Sequence, residues 1–231
     1  MDQLRTGALF VTGTGTDVGK TYVTALLLKK LRELGHSPAY YKAAMSGNQR
    51  RPDGSLIPGD AQFVQKVSGI TQPLEEMCPY VYEAAVSPHL AAHLEGNPVE
   101  LDRVVDGFRS LCQRYDFVTM EGSGGILCPL RFPDAPLWLP DVVKVCTLGC
   151  LLVADAGLGT INQVALTAFY LQAQGIPLKG VILNRYDPDN ILHRDNLLMC
   201  RHLTGNRVVA CVREGEDTLS ITPEALLALY H

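Results

Sequence analysis

A glycine-rich stretch near the start of the chain constrains its fold more than any other feature. Residues 11–21 read VTGTGTDVGKT; an apolar run of strand type, residues 8–11, leads into them, and residues 22–34 carry apolar side chains at helical spacing. This arrangement of strand, glycine-rich turn, Gly-Lys-Thr and helix holds nucleoside triphosphates, because backbone N–H groups converge at the turn and the new helix adds its positive end. The pattern predicts a phosphate loop in which Lys20 reaches the outer phosphates and the hydroxyl of Thr21 binds Mg²⁺.

The glycine spacing identifies a variant of this loop. The standard motif places its first glycine five residues before the second, and Thr14 occupies that position relative to Gly19. The nearest earlier glycine, Gly13, is one residue further back. The alternative is an ordinary strand-to-helix turn with a surface lysine. The position of Gly-Lys-Thr where strand meets helix favours the phosphate loop.

Composition excludes several classes of protein. A net charge of -4 argues against nucleic acid or an anionic membrane as the main partner. The apolar runs at 25–28 and 150–154 are too short to span a bilayer, and the first residues lack a signal-peptide core. The seven cysteines are scattered without a Cys-x-x-Cys pair, which predicts reduced thiols and a cytoplasmic protein. Cys146 and Cys150 are the one pair that suggests a metal site, and we do not assign one there.

Strand-length apolar runs alternate with helix-length segments along the whole sequence. We expect strands at 39–41, 117–120, 150–154, 181–183 and 208–212, and helices at 60–67, 98–114, 159–174, 191–203 and 223–230. Residues 46–58 and 122–140 are expected to be loops, and the sequence leaves open whether 122–140 acts as a lid. Apolar, non-alternating strands predict a mostly parallel sheet with helices on both faces. The fold class is therefore α/β, a single doubly wound domain of the P-loop NTPase type over residues 1–231.

Polar side chains stand where the predicted strands end. Lys42, Glu121, Asp155 and Asn184 each follow a buried strand. In parallel sheets ligands bind beyond the carboxyl ends of the strands, so these residues are expected beside the phosphate loop. Glu121 is a candidate for the acidic group near Mg²⁺. Asp60, at a predicted helix start, is either a second metal partner or a carboxylate that interacts with the helix dipole.

Two further glycine-rich segments suit close contact with a ligand. Residues 122–125 read GSGG, which lets the backbone approach a bound molecule or forms a plain turn. Residues 157–162 read GLGTIN at a strand-to-helix junction whose free N–H groups suit an anion such as a carboxylate; simple helix capping is the alternative. Asn184 carries both a donor and an acceptor and suits the edge of a purine. His89 is given no role.

As a set, these stretches resemble the dethiobiotin synthetase family of ATP-dependent carboxylating cyclo-ligases in biotin synthesis. The matching pieces are 11–21, Tyr41 with Lys42, Ser46 with Gly47, 59–61, 87–89, 121–125, 158–162 and Asn184. The stretched glycine spacing of the loop is itself a trait of that family, so it supports the resemblance.

The resemblance implies a reaction and an assembly. Its substrates are 7,8-diaminononanoate, CO₂ and ATP, with Mg²⁺. One amine captures CO₂ as a carbamate, ATP phosphorylates the carbamate, and the second amine closes the urea ring. The resemblance also implies a homodimer with its active site at the interface, acting on small molecules and not on nucleic acid or membranes.

The resemblance assigns roles to four sets of residues. The catalytic residues are Lys42, Lys20 and Thr16. The nucleotide is bound by Gly13, Thr14, Gly15, Thr16, Asp17, Val18, Gly19, Lys20, Thr21 and Asn184. The substrate is bound by Ser46 and Gly124, and by Leu158, Gly159, Thr160, Ile161 and Asn162 of the neighbouring subunit. The metal is bound by Thr21, Asp60 and Glu121.

One segment departs from the family pattern, and two other functions compete. Residues 210–215 read ACVREG and lack the Gly-x-x-Pro-like segment that frames the base, which predicts a looser nucleotide preference. A partitioning-type nucleotide-switch ATPase shares the loop, but its early signature lysine and basic terminal helix are missing here. Another amide-forming ligase or a small-molecule kinase on this scaffold would differ around Lys42, Ser46 and 159–162.

Overall fold

The computed structural model describes residues 6–231, in which strands alternate with helices along the chain. The strands are β1 (Gly7–Gly13), β2 (Pro38–Lys42), β3 (Gln49–Arg50), β4 (Leu56–Ile57), β5 (Phe117–Gly125), β6 (Pro129–Arg131), β7 (Leu137–Trp138), β8 (Gly149–Asp155), β9 (Leu178–Asn184) and β10 (Val208–Val212). The helices are α1 (Lys20–Glu33), α2 (Gly59–Ser68), α3 (Pro88–Leu94), α4 (Leu101–Cys112), α5 (Leu139–Val145), α6 (Thr160–Ala173), α7 (Ile191–Leu203) and α8 (Pro223–Ala228), with a 3₁₀ turn at Leu74–Glu76.

Six strands form one parallel sheet in the order β10-β9-β8-β1-β5-β2. Helices cover both faces. Leu9 and Val11 of β1 pack in the cluster that contains α1 and α8, whereas Phe10 packs in the cluster that contains α4 and α5. Because both faces are buried, these strands are apolar throughout, as the sequence predicts. The predicted doubly wound α/β fold is confirmed.

The strand register brings the functional side chains to one edge. Lys42 at the end of β2 pairs with Glu121 of β5, and Glu121 pairs with Val11 just before the phosphate loop. On the other side of β1, Asp155 of β8 pairs with Asn184 of β9. All these pairs lie at the carboxyl edge of the sheet, where the loop leaves β1.

Two segments expected to be loops contain regular structure. In 122–140, β5 continues to Gly125, β6 and β7 form an antiparallel ribbon, and α5 begins at Leu139. Ile126, Leu130 and Leu137 are buried there, so the segment adds to the core. Residues 46–58 likewise contain a small ribbon of β3 and β4. Short strands of two or three residues lack the length needed for a visible pattern.

The helices of residues 6–231 are all too short or too polar to cross a membrane.

Candidate active site

A cleft of about 440 Å³ opens at the carboxyl edge of the sheet, between the phosphate loop and the ends of β2 and β5. It is lined by Thr16, Asp17, Gly19, Lys20, Thr21, Lys42, Met45, Ser46, Asp60, Glu121, Ser123 and Gly124. The cleft therefore collects residues predicted for phosphate, metal and substrate binding from five separate stretches of sequence.

The phosphate loop is held in its turn by two glycines. Gly19 has a φ of +90° at the start of α1, a conformation that favours glycine. A Cβ on Gly13 would lie 2.8 Å from Val18 Cγ2 and 3.0 Å from the carbonyl oxygen of Gly15. The stretched spacing thus has a steric basis, because the loop folds back onto Gly13. Thr14 anchors the loop to the sheet through its N–H, which donates to the Val153 carbonyl at 3.0 Å.

Lys20 lies folded into the loop. Its Nζ donates to the Gly15 carbonyl at 2.8 Å, and the side chain is buried. Burial lowers the pKa of Lys20 below its ordinary value, and the Glu121 carboxylate opposes that effect. A lysine bonded only to a neutral carbonyl can exchange that partner for a phosphate oxygen.

Lys42 bridges two carboxylates. Its Nζ donates to Asp60 Oδ2 at 2.6 Å and to Glu121 Oε1 at 2.8 Å. Burial opposes the charge of Lys42, but the two carboxylates outweigh it and raise the pKa of this lysine above its ordinary value. Lys42 therefore stays a cation inside the protein.

Glu121 is fully buried and accepts bonds from three side chains. Besides the bond from Lys42, it accepts hydrogen bonds from the Thr21 hydroxyl at 2.8 Å and from the Tyr40 hydroxyl at 3.1 Å. Burial and the adjacent Glu121 charge raise the pKa of Tyr40 well above its ordinary range, so Tyr40 remains a donor. These contacts fix the carboxylate in one orientation.

The oxygen groups of this cluster fit Mg²⁺. Thr21, Asp60 and Glu121 offer one hydroxyl and two carboxylates, and Mg²⁺ is bound in proteins by one or two carboxylates together with substrate phosphates and water. Residues 6–231 contain no cluster of three or more His, Cys, Asp or Glu side chains arranged as a metal cage. These groups are of the kind that binds Mg²⁺ together with a nucleotide.

Comparisons with known proteins identify the family. The model of the family described as "AAA domain" matches residues 7–221. The ATP-dependent dethiobiotin synthetase BioD of Clostridium perfringens (strain 13 / Type A) is 42% identical over 209 residues, covering 90% of this chain and 91% of that protein. The enzyme of the same name from Clostridium botulinum (strain Loch Maree / Type A3) is 42% identical over 225 residues, covering 96% and 97%. The chain belongs to the dethiobiotin synthetase family.

Solved structures with lower identity show the same fold as this dethiobiotin synthetase family member. A ParA family ATPase from Chlorobium tepidum TLS aligns with a TM-score of 0.54 at 15% identity, covering 98% of this chain and 90% of that one. Chloroplast FtsY from Physcomitrella patens aligns with a TM-score of 0.55 at 18% identity, covering 100% and 67%. These alignments confirm the predicted P-loop NTPase architecture.

Asn184, expected at the adenine, is buried beneath the phosphate loop. Its Nδ2 donates to the Val18 carbonyl at 3.0 Å. A Cβ on Gly19 would lie 2.0 Å from the same nitrogen, which shows how closely the two residues pack. In this arrangement Asn184 supports the loop, and its contact with a base stays a prediction.

Residues 158–162 form the junction between β8 and α6. Gly159 has a φ of +91° at the start of α6, and Leu158 is 90% exposed. Within the described part of the chain, none of these five residues lines the cleft that holds Lys20 and Lys42. The buried Thr160 hydroxyl has no hydrogen-bond partner among residues 6–231.

Tyr40 is a site residue that the sequence analysis missed. It lies two positions before Lys42, and alternate residues of a strand share one face. The side chain of Gln72 binds both backbone groups of Tyr40. Its Oε1 accepts from the Tyr40 N–H at 2.7 Å, and its Nε2 donates to the Tyr40 carbonyl at 3.0 Å. The alternation in residues 39–42 was the available signal, because a phenol on the same face as a strand-end lysine is placed to contact the same carboxylate, here Glu121.

The seven cysteines are all unpaired thiols. Burial raises the pKa of both Cys78 and Cys150 to about 12. Thiols of this kind behave as small apolar side chains.

Proposed function

We propose that this chain carries out the ATP-dependent carboxylation and ring closure of 7,8-diaminononanoate to dethiobiotin. The observation that carries the proposal is the convergence of two lysines, a hydroxyl and two carboxylates on one cleft beside the phosphate loop. Membership of the dethiobiotin synthetase family supports the same activity.

The reaction joins two acids and then displaces one of them. An amine of the substrate adds to CO₂ and loses a proton, which gives a carbamate. A carbamate oxygen attacks the γ-phosphorus and ADP departs, which leaves a mixed anhydride. The second amine attacks the carbamoyl carbon and loses a proton, phosphate leaves, and the ring closes. No step requires a nucleophilic side chain of the protein.

The lysines supply the electrostatic part of catalysis. Negative charge accumulates between the carbamate and the γ-phosphate, and preorganised cations at such a point stabilise the transition state. When nucleotide binds, Lys20 Nζ donates to phosphate oxygens in place of the Gly15 carbonyl. Lys42 and Ser46 both contact the carbamate. Thr16 and Gly124, both on the cleft wall, contact the phosphates and the substrate.

Mg²⁺, when bound, neutralises phosphate charge and acts as a Lewis acid at the transferring phosphoryl group. Thr21, Asp60 and Glu121 would hold it. Tyr40 orients Glu121 for this task through its hydroxyl.

The substrate's carboxylate end is assigned to the α6 junction of a second subunit. The N–H groups at a helix start suit an anion, and residues 158–162 do not line the cleft of their own chain. The same region exposes apolar side chains, with Leu158 at 90% and Phe169 at 70% exposure. An apolar surface of this kind supports a homodimer that buries α6.

The cytoplasmic location and the looser nucleotide preference expected from residues 210–215 stay predictions.

Phosphate release tests the proposal. With ATP and Mg²⁺, release should rise sharply when diaminononanoate and bicarbonate are added together, and DNA or lipid vesicles should have no effect.

Lys42→Ala should lower the stimulated rate by about 10²–10³-fold while ADP still binds. Lys144→Ala removes a surface lysine bonded to Gln174 and serves as the control with unchanged turnover. Stimulation by DNA or lipid in place of the diamine would support a nucleotide switch and refute the proposal.

A further inference from the structure

Arg185 connects the phosphate loop to the end of β8. It follows Asn184 at the carboxyl end of β9 and has a φ of 54°, in the left-handed region that non-glycine residues seldom adopt. Its Nη2 donates to the Asp17 carbonyl at 3.0 Å, and its Nε donates to Asp155 Oδ2 at 2.6 Å. Asp155 in turn accepts the Gly157 N–H at 2.7 Å. The guanidinium of Arg185 therefore contacts both the Asp155 carboxylate and the phosphate loop.

Arg185 and Asn184 hold two successive carbonyls of the loop. Arg185 donates a hydrogen bond to the carbonyl of Asp17, and Asn184 donates one to the carbonyl of Val18. Among residues 6–231 the one cis peptide bond joins Phe132 and Pro133, so the peptides after Asp17 and Val18 are trans. In a planar trans peptide the C=O and the following N–H point in opposite directions. Binding the two carbonyls on the β9 side therefore turns the N–H groups of Val18 and Gly19 toward the opposite side.

The cleft borders these two peptides, because Asp17 and Gly19, on either side of Val18, both line it. Within the described residues, no protein acceptor takes the N–H of Val18 or of Gly19. Converging free N–H groups form an anion-binding nest. A guanidinium on the carbonyl side also polarises the Asp17–Val18 peptide, which strengthens its N–H as a donor.

We propose that Arg185 is a positioning residue for nucleotide phosphates. It aims the Val18 N–H into the cleft, and Asp155 fixes the guanidinium that does so. The ion pair is not needed for stability, because Arg185 and Asp155 side chains are 42% and 35% exposed and such pairs contribute little. Its role is to set the direction of one peptide group. The inference rests on the proposed nucleotide site, and its test separates the two.

The test compares the affinities of ADP and AMP, measured as inhibition constants against ATP. The backbone N–H groups of a phosphate loop cradle the α- and β-phosphates, and only ADP carries the second of these. Arg185→Met should lower the ADP-over-AMP preference by about tenfold, as expected for losing one oriented, charge-polarised contact. Arg185→Lys should retain part of the preference, because one cation can still reach Asp17. Asp155→Asn should lower it less than Arg185→Met does.

Arg114→Met is the matched control, since it removes an exposed arginine paired with Glu76 at 2.9 Å on a different part of the surface. It should leave both affinities unchanged. Melting temperatures of all variants should stay close to the wild-type value. An unchanged ADP preference in Arg185→Met would overturn the inference, and so would an equal loss for ADP and AMP, which would place the effect of Arg185 on a group that the two nucleotides share. Wild-type protein that is inhibited by neither ADP nor AMP would instead refute the nucleotide site itself.

Discussion

Glu121 shows at the scale of single residues how the site is built. A fully buried carboxylate is costly unless its charge is compensated, and here Lys42, Thr21 and Tyr40 all donate to it. Two of these donors also have a proposed role toward a bound molecule, Thr21 at the metal and Lys42 at the carbamate. The third, Tyr40, has only the role of holding the carboxylate in place.

Replacing Tyr40 with Phe tests that role. The change removes the bond to Glu121 Oε2 and should lower kcat by about tenfold, because partners of metal ligands commonly affect activity to this extent. Tyr41→Phe is the matched control. It deletes an equally buried hydroxyl from the other face of β2, where it donates to the Val104 carbonyl. Both variants should lose about 1 kcal/mol of unfolding free energy. An equal loss of kcat in the two variants would contradict the assignment.

Among the elements, the turn between β1 and α1 depends on β9 as well as on its own glycines. Asn184 packs against Gly19 so closely that a methyl group has no room. The loop is thus shaped by two strands that are far apart in sequence and share one sheet.

Gly19→Ala should damage the loop in two ways. It places a side chain at a φ of +90° and displaces Asn184, so ADP affinity should fall by more than about tenfold and stability should fall as well. Gly35→Ala separates the two effects. Gly35 has a φ of +87° with open space around it, so alanine there should cost about 1 kcal/mol of stability and leave ADP binding intact. Calorimetry measures the ADP affinity, and thermal unfolding measures the stability. An ADP affinity of Gly19→Ala equal to that of the wild type would contradict the close packing of Asn184 on Gly19.

The sequence predicted elements whose signals are local. Glu121 was predicted at the end of its strand, but β5 continues past it to Gly125. The phosphate loop, the apolar strands and the position of Lys42 at the end of β2 follow from short patterns. The ribbon of β6 and β7 did not, because strands of three and two residues are too short to show a period. Neither did the contacts of Tyr40 and Arg185, which join residues 81 and 168 positions apart. Such pairs become visible only when the sheet order is known.

For the whole molecule, one chain supplies the cleft but not all of the predicted substrate contacts. The α6 junction lies outside the cleft and next to the exposed Leu158 and Phe169. A symmetric dimer would place each junction at its partner's cleft, so each active site would draw on both subunits.

Mixed dimers of two impaired variants test this arrangement. Lys42→Ala damages the cleft, and Gly159→Asp places a negative charge where the substrate carboxylate is expected. Dimers with one chain of each, isolated through two different tags, should recover about half of the wild-type activity, because one of their two sites is intact. If each chain held a complete site, the mixed dimer would be as inactive as its parents. Failure to isolate any mixed dimer would contradict the dimer itself.

The fate of a labelled oxygen tests the central claim, that this cleft joins a carbamate to the γ-phosphate before the ring closes. The enzyme is supplied with ATP, diaminononanoate and bicarbonate labelled with oxygen-18, and the phosphate is analysed by mass spectrometry at early times. If the carbamate oxygen attacks phosphorus and later leaves with it, each phosphate carries one labelled oxygen and the ring keeps another. Phosphate without label, formed alongside dethiobiotin, would show that water attacks the γ-phosphate and would contradict the account.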